Sequence, residues 1–294
     1  MSAEPRSSLW HRWWHGTVRV WCRPDWPAAA GVDWPTRILT WDAPERFHAK
    51  QGRSIGRLRV GPHTLYLKRH TRLPWLDGLR ALLWPAGNWS PGAAEWHHLA
   101  QAQKLGIPVP TAWAGGEFVG PAGRLQSFLA VAELPDMLPL HEAIPLAQQE
   151  LSATAFARWK AGLVRELARL SRKLHEAAYF HKDLYLCHFY IPSAHTRQVP
   201  ATWTEQVWMI DFHRLGWHPL LRGWYQAKDV GQLLYSTDAV AGITDRDRLR
   251  FWCHYAGPRQ RGWLWQLVRL RGWRNRRHNQ KRKATNPDGI TGVP

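Results

Sequence analysis

Three cysteines in 294 residues (Cys22, Cys187 and Cys253), with no C-x-x-C pair, exclude a disulfide framework and argue against a structural zinc site. Long apolar runs are also missing. A membrane span needs about 18 consecutive apolar residues, and the stretch from Leu73 to Ala86 is broken by Asp77, Arg80 and two prolines. Glu4, Arg6, His11 and Arg12 precede any apolar run, unlike a secretory signal. Acids are few, 22 Asp+Glu against 40 Lys+Arg, for a formal charge of +18. Hydrophobic residues at 45% and charged residues at 21% exclude wholesale disorder. A chain of this length buries a core without staples, in one or two domains. A soluble protein of a reducing compartment is expected.

The basic excess is concentrated. Arg248 to Lys283 carries 12 Lys+Arg and no acid, so it accounts for +12 of the +18 and points to a polyanionic partner for that region. Tryptophan is abundant, with 21 in the chain and seven before residue 42. An indole suits a membrane interface, with its apolar body and one N–H, but it also fills cores, and both readings stand.

Residues 1–45, rich in Trp, Pro and Arg without clean periodicity, are expected to form an irregular arm with one or two short strands. Beyond it, Ile55, Leu58 and Val60 lead into Gly61-Pro62 and then Thr64–Lys68, whose alternation predicts a hairpin with Lys68 late in its second strand. Ser90-Pro91 opens a helix that Gly106 and Pro108 end. A strand is expected over 125–133, and a Pro-rich crossing from Leu134 to Pro145 reads as a hinge between lobes. Phe156, Trp159, Leu163, Val164, Leu167, Leu170 and Leu174 recur at helical spacing along a stripe that must be buried. His181 to Ile191 forms a loop, Val207–Ile210 a short strand, and helices are expected over 227–235 and 245–255. The fold class is α+β, two-lobed, with the sheet early and the helices late.

Phosphoryl transfer from a nucleotide needs a cation on the phosphates, a carboxylate for magnesium and a carboxylate near the attacking hydroxyl. Lys68 at a strand end, Asp183 in a loop after a long helix and Asp211 at the end of a short strand meet these needs. Asp183 and Asp211 lie 28 residues apart, enough for a hairpin that brings both carboxylates to one place.

At these positions the chain resembles the lipopolysaccharide core kinases, the Kdo/WaaP family of the protein-kinase-like superfamily. His181-Lys182-Asp183-Leu184 is similar to the H-R-D-L catalytic loop. The string Asp183-Leu-Tyr-Leu-Cys-His188-Phe, with Asp211-Phe-His213-Arg214 downstream, resembles the heptose(I) kinase branch. Tyr66–His70 resembles the family's lysine strand, Glu95-Trp96 its lysine-pairing helix, and Lys228–Ser236 with Ile243–Asp247 its later helices.

The resemblance implies a kinase N-lobe over 46–134, a larger helical C-lobe over 135–257 and a basic C-terminal helix and tail over 258–294. It implies ATP and Mg²⁺ as cofactors. Lys68 would contact nucleotide phosphates and pair with Glu95. Asp183, flanked by His181 and Lys182, would act on the sugar hydroxyl, and Asp211 would bind the metal. Imidazole suits Mg²⁺ poorly, so His188 is read either as a ligand in place of the kinase asparagine, as a phosphate contact, or as a hydrogen bond to Asp183. Gly52-Arg53-Ser54-Ile-Gly56 carries two glycines where the kinase loop has three, with its amides and the Arg53 and Ser54 side chains as candidate phosphate donors. Taken alone, Cys187 reads as a packed residue, and His175 and His181 as structural hydrogen-bond posts.

The implied acceptor is a heptose of the lipopolysaccharide inner core, met at the cytoplasmic face of the inner membrane. Trp263 to Trp273, interleaved with arginines, is read either as an interfacial helix on anionic lipid or as a docked helix with a basic rim. An acyl carrier protein is a further acidic partner, and no nucleic acid is expected. Two alternatives stay open, namely a phosphotransferase of the same fold for another hydroxyl and a non-catalytic basic binder.

Overall fold

Apolar alternation on either side of Gly61-Pro62 produces the expected hairpin. Val60 pairs with His63, and Gly61 takes φ +57°, which its missing Cβ permits. The computed structural model describes residues 8–42, 45–50, 52–257 and 262–285. They divide into one unit of Met1–Gln101 with Pro110–Leu134 and a second of Ala102–Val109 with Pro135–Pro294.

The first unit contains α1 (Leu9–His15), β1 (Thr17–Cys22), α2 (Trp26–Ala30), α3 (Trp34–Arg37), β2 (Glu45–Lys50), β3 (Arg53–Val60), β4 (His63–His70), α4 (Trp75–Leu83), α5 (Pro91–Lys104), β5 (Ala112–Val119) and β6 (Leu125–Ala132). Its six strands form one antiparallel sheet in the order β1-β5-β6-β4-β3-β2. Residues 8–42 are not the irregular arm that the sequence suggested. β1 pairs along its whole length with β5, and Trp26, Trp34 and Ile38 are buried with Leu65, Leu67 and Phe128. The helices holding these tryptophans have five and four residues, too short to show a period, and each opens on a Trp-Pro pair. Residues 1–7 and 43–44 of the expected arm lie outside the described residues.

β5 escaped sequence reading because Gly115 and Gly116 interrupt its pattern. Both are needed for packing. A Cβ on Gly116 would come 2.5 Å from the Phe128 ring, and one on Gly115 would come 3.1 Å from Trp96.

The second unit contains β7 (Met137–Pro139), α6 (Leu140–Glu150), α7 (Ala153–Glu176), β8 (Tyr179–Phe180), β9 (Phe189–Pro192), β10 (Trp208–Met209), β11 (Gly216–Trp217), α8 (Arg222–Ser236), α9 (Asp245–Ala256) and α10 (Trp263–Thr285). The second half of the crossing expected as a hinge is helix. Leu140, Ala143, Ile144 and Ala147 bury one face of α6, and Pro145, which the sequence reading made the end of a hinge, sits inside it. In α7, Ser152 Oγ accepts the Ala155 N–H (3.3 Å), and the predicted stripe from Phe156 to Leu174 is buried with the exception of Val164. α9 starts on a capping box between Thr244 and Asp247, and Asp247 also takes Lys160 of α7 at 2.7 Å. α10 buries Leu264 and Val268, and lies so close to α8 that a Cβ on Gly231 would meet Arg271 Cβ at 2.8 Å. Residues 258–261 and 286–294 of the expected tail lie outside the described residues.

Trp26 gives the inclusion of the N-terminal segment in the core a test. Trp26→Ala is expected to destabilise the protein by about 3–5 kcal/mol, read as a lower denaturant midpoint. An unchanged midpoint would mean that this segment contributes nothing to the core.

Candidate functional site

In the second unit the loop from His181 to His188 is held from beneath by one carboxylate. Asp229, wholly buried on α8, accepts the main-chain N–H of His181 (2.7 Å, Oδ2) and of Lys182 (2.9 Å, Oδ1). Its Oδ2 also takes His175 Nε2 at 3.2 Å, and His175 Nδ1 lies 2.6 Å from the Tyr255 hydroxyl. A carboxylate only accepts, so His175 donates from Nε2 and receives the Tyr255 proton at Nδ1. Burial pushes the Tyr255 phenol far up, keeping it a donor. The neighbouring Lys228 donates from Nζ to the Lys182 carbonyl (2.7 Å). Both polar main-chain groups of Lys182 are therefore gripped by consecutive residues of α8. That grip holds Lys182 at φ +65°, a left-handed conformation costly for a side-chain-bearing residue.

His181 donates from Nε2 to the Ile210 carbonyl (3.0 Å), tying the loop to the segment that carries Asp211. Its ring is completely buried between His188 and Phe212, and burial, reinforced by His188, pushes its pKa below the ordinary histidine value. His188 donates from Nδ1 to the main-chain oxygen of Asp183 (2.8 Å) and places Nε2 3.7 Å from Asp211 Oδ2. Of the readings open for His188, the hydrogen bond to Asp183 is present, through the backbone. Asp211 lies just past β10, at φ +65°, ψ +55°, and its Oδ1 accepts from His213 Nδ1 (2.6 Å). The Asp183 carboxylate receives Arg214 Nη1 on both oxygens, at 2.9 and 3.1 Å. Asp183 and Asp211 thus stand on either side of one imidazole, linked by the β9–β10 pairing that their spacing anticipated.

In the first unit, Lys68 on β4 makes an ion pair with the buried Glu95 of α5 (Nζ–Oε1 2.6 Å). The start of α5 is fixed against the sheet. The Ser90 N–H donates to Glu117 Oε2 (2.8 Å), Ser90 Oγ accepts the Ala93 N–H (3.3 Å), and a Cβ on Gly92 would meet Phe128 O at 2.6 Å. The expected glycine loop is mostly strand. Gly52, at φ +80°, occupies the turn, whereas Arg53, Ser54 and Gly56 lie in β3, which pairs with β2 on one side and β4 on the other. Their amides belong to ladders, so the proposed amide cradle does not extend beyond the turn. Ser54 Oγ already accepts from Arg69 (3.3 Å).

Two further readings need correction. His181 is too deeply buried to meet a substrate, and the Lys182 side chain points to His218 (Nζ–Nε2 3.5 Å). Sequence reasoning gave no role to Asp229, Lys228 or Arg214. Asp229 had one available signal, an acid surrounded by Ala227, Val230 and Leu233 on a buried helix face. Cys187 is packed, its thiol pushed up to about 11 by burial, as expected of an inert side chain.

Among the described residues no group of three or more His, Cys, Asp or Glu side chains could hold a metal ion. The Asp211 carboxylate is instead a single oxygen donor for a hard cation that takes most of its ligands from water and phosphate, and the His188 imidazole beside it suits such a cation poorly. Mg²⁺ fits that description.

The sequence pattern of the Lipopolysaccharide kinase (Kdo/WaaP) family matches residues 46–255. The lipopolysaccharide core heptose(I) kinase WaaP of Pseudomonas aeruginosa is 27% identical over 201 residues, covering 68% of this chain and 72% of that protein. The WaaP of Escherichia coli K12 is 28% identical over 167 residues, covering 55% of this chain and 59% of that one. A solved structure of WaaP in complex with acyl carrier protein superposes with a TM-score of 0.65 at 22% identity, covering 89% of this chain and 98% of that chain, so the fold is shared.

The buried His181 gives a pH prediction. Its folded pKa lies below the ordinary 6.5, so as pH falls through 6.5 the unfolded chain takes a proton that the folded chain refuses. Stability should therefore drop below pH 6.5, and His181→Asn should make the drop shallower in urea titrations. An unaltered slope would contradict the neutral buried imidazole.

Proposed function

The chain belongs to the lipopolysaccharide kinase (Kdo/WaaP) family, and from that premise we propose that it transfers the γ-phosphoryl group of ATP to a heptose hydroxyl of the lipopolysaccharide inner core. The observation that supports this reading most directly is the Asp183–His188–Asp211 arrangement. Two acidic residues, one in the 181–188 loop and one just past β10, flank one imidazole, which meets the main-chain oxygen of Asp183 and faces the Asp211 carboxylate, on a backbone held in left-handed conformations at Lys182 and Asp211. Such conformations persist where the surroundings enforce them, which is common at reactive sites.

Asp183 is the group for the acceptor hydroxyl. It orients the oxygen and takes its proton as the new O–P bond forms and the bond to the ADP oxygen breaks. Asp211, with His188 beside it, would hold Mg²⁺, which when bound neutralises charge on the phosphates. His213 fixes the Asp211 carboxylate through Oδ1. In the first unit, Lys68 is the phosphate cation, and Glu95 holds its ammonium on a stiff strand rather than in solvent. His181 and Asp229 act through the backbone as positioning residues.

The partners follow from surface chemistry. No described helix is long and apolar enough to cross a membrane. α10 leaves Trp263, Leu270 and Trp273 exposed among arginines, and Arg271 stacks on the exposed Trp224 with 3.7 Å from Cζ to the ring centroid. Indoles and guanidinium groups on one helix suit an anionic bilayer surface, where a lipid-anchored acceptor would be met. An acyl carrier protein, the partner in the related WaaP structure, would suit the same positive charge.

Asp183→Asn and Asp211→Asn should each lower ATP-dependent phosphorylation of dephosphorylated core lipopolysaccharide by about 10²–10⁴-fold or more while leaving the thermal transition in place. Full activity in either variant would refute the assignment. The intact protein should also float with phosphatidylglycerol vesicles and not with phosphatidylcholine alone, and a Trp263→Ser, Trp273→Ser double variant should lose that binding. Equal flotation of the double variant would exclude α10 as the contact.

A further inference from the structure

Three cations gather round Asp183, although one would suffice to pair it. Arg214, exposed, contacts both carboxylate oxygens through Nη1 (2.9 and 3.1 Å). Both of its hydrogen bonds among the described residues come from that one nitrogen, so Nη2 and Nε make none. Lys228 is half-buried, with Nζ on the Lys182 carbonyl (2.7 Å). Lys182 is half-buried with Nζ 3.5 Å from His218 Nε2. The only other acid in this group, Asp229, is saturated by two main-chain N–H groups and His175. Asp229 keeps its charge but no free lone pair, so three positive charges face two carboxylates and only Asp183 among them can still change partners.

The backbone leaves room for one of these cations. A Cβ on Gly216 of β11 would lie 2.5 Å from Lys182 Nζ and 2.8 Å from His218 Nε2, so glycine here leaves room for both. His218 stacks on Tyr225 (ring centroids 4.0 Å, interplanar 10°), which fixes the imidazole that faces Lys182. Burial first, then the neighbouring Arg214, pulls Lys182 and Lys228 below the ordinary lysine value, against the opposing pull of Asp229 and Asp183.

We propose that Arg214, Lys182 and Lys228 form an anion subsite beside Asp183 that takes a carboxylate or phosphate carried by the acceptor next to the hydroxyl to be phosphorylated. The inference rests on the kinase reading and adds to it a specificity. Arg214 turns its Nε–Nη2 edge, which makes no hydrogen bond among the described residues, onto the acceptor's anion as a bidentate pair, and that turn draws Nη1 off the Asp183 carboxylate. A neutral sugar offers no such exchange and meets Asp183 still paired with Arg214. The acceptor's own charge thereby releases the carboxylate that must act on its hydroxyl.

The test uses the full chain and core oligosaccharide freed of lipid, in three forms: native, with its carboxylates converted to amides, and with its phosphates removed. Wild type should bind the native form more tightly than one of the other two by about 10–100-fold, the range expected of charge-assisted hydrogen bonds. Which form is weaker identifies the anion. Intrinsic tryptophan fluorescence, with Trp217 adjoining Gly216, reads binding without turnover. Arg214→Gln should abolish that preference and raise the acceptor KM while leaving the ATP KM unchanged. Gly216→Ala, which displaces Lys182, should weaken it in the same sense. Equal binding of all three forms by wild type, a preference that survives Arg214→Gln, or a change confined to the ATP KM would each overturn the subsite. If wild type binds the native form selectively but transfers no phosphate to core from cells that lack this protein, the kinase reading fails and the subsite stands.

Discussion

One buried carboxylate organises the chemistry of the second unit. Asp229 meets two consecutive main-chain N–H groups, and through His175 and Tyr255 it connects α7, α8 and α9. Removing an ionised group from water is costly unless its lone pairs are met, and here they are met by groups that would themselves be orphaned in a tight turn. Loss of the Asp229 side chain would leave two buried N–H donors unpaired and release a left-handed Lys182 to relax. The orientation of Asp183, the next residue, follows from that turn. The Ile210 carbonyl accepts from His181 and in this way ties the Asp211 segment to the same anchor.

The site is built from side chains that constrain one another rather than from many acids. A chain with 22 acids against 40 bases places several of its few carboxylates where each has a designated cation or donor. Glu95 holds Lys68, Asp247 holds Lys160, Asp211 accepts from His213, and Asp183 accepts from Arg214. Surplus arginines lie on α10, and Arg214, Lys182 and Lys228 lie round Asp183, where an anionic lipid and an anionic acceptor would each find them.

Much of the architecture was legible because it rests on local pattern. The hairpin about Gly61-Pro62, the long α7 stripe and the Ser90-Pro91 helix start all express periods of two or 3.6, or turn and cap chemistry confined to a few residues. What stayed hidden depends on distant partners. β1 is recognisable only through its pairing with β5, and β5 only through the rings of Trp96 and Phe128 that its glycines admit. α6 was obscured by Pro145, which lies within a helix whose other side chains bury well. Lys68 and Glu95 in the first unit, and Asp183 and Asp211 in the second, were singled out from motif and spacing. Arg214 and Asp229 were missed as partners, since a contact across 31 or 47–48 positions has no local signature.

The anchoring role of Asp229 is most directly tested by amide hydrogen exchange at His181 and Lys182. In the native protein both amides should exchange slowly, and in Asp229→Asn they should exchange much faster while the amides of α8 keep their protection. Slow exchange at both positions in that variant would contradict the account, because the loop would then be held by something other than this carboxylate.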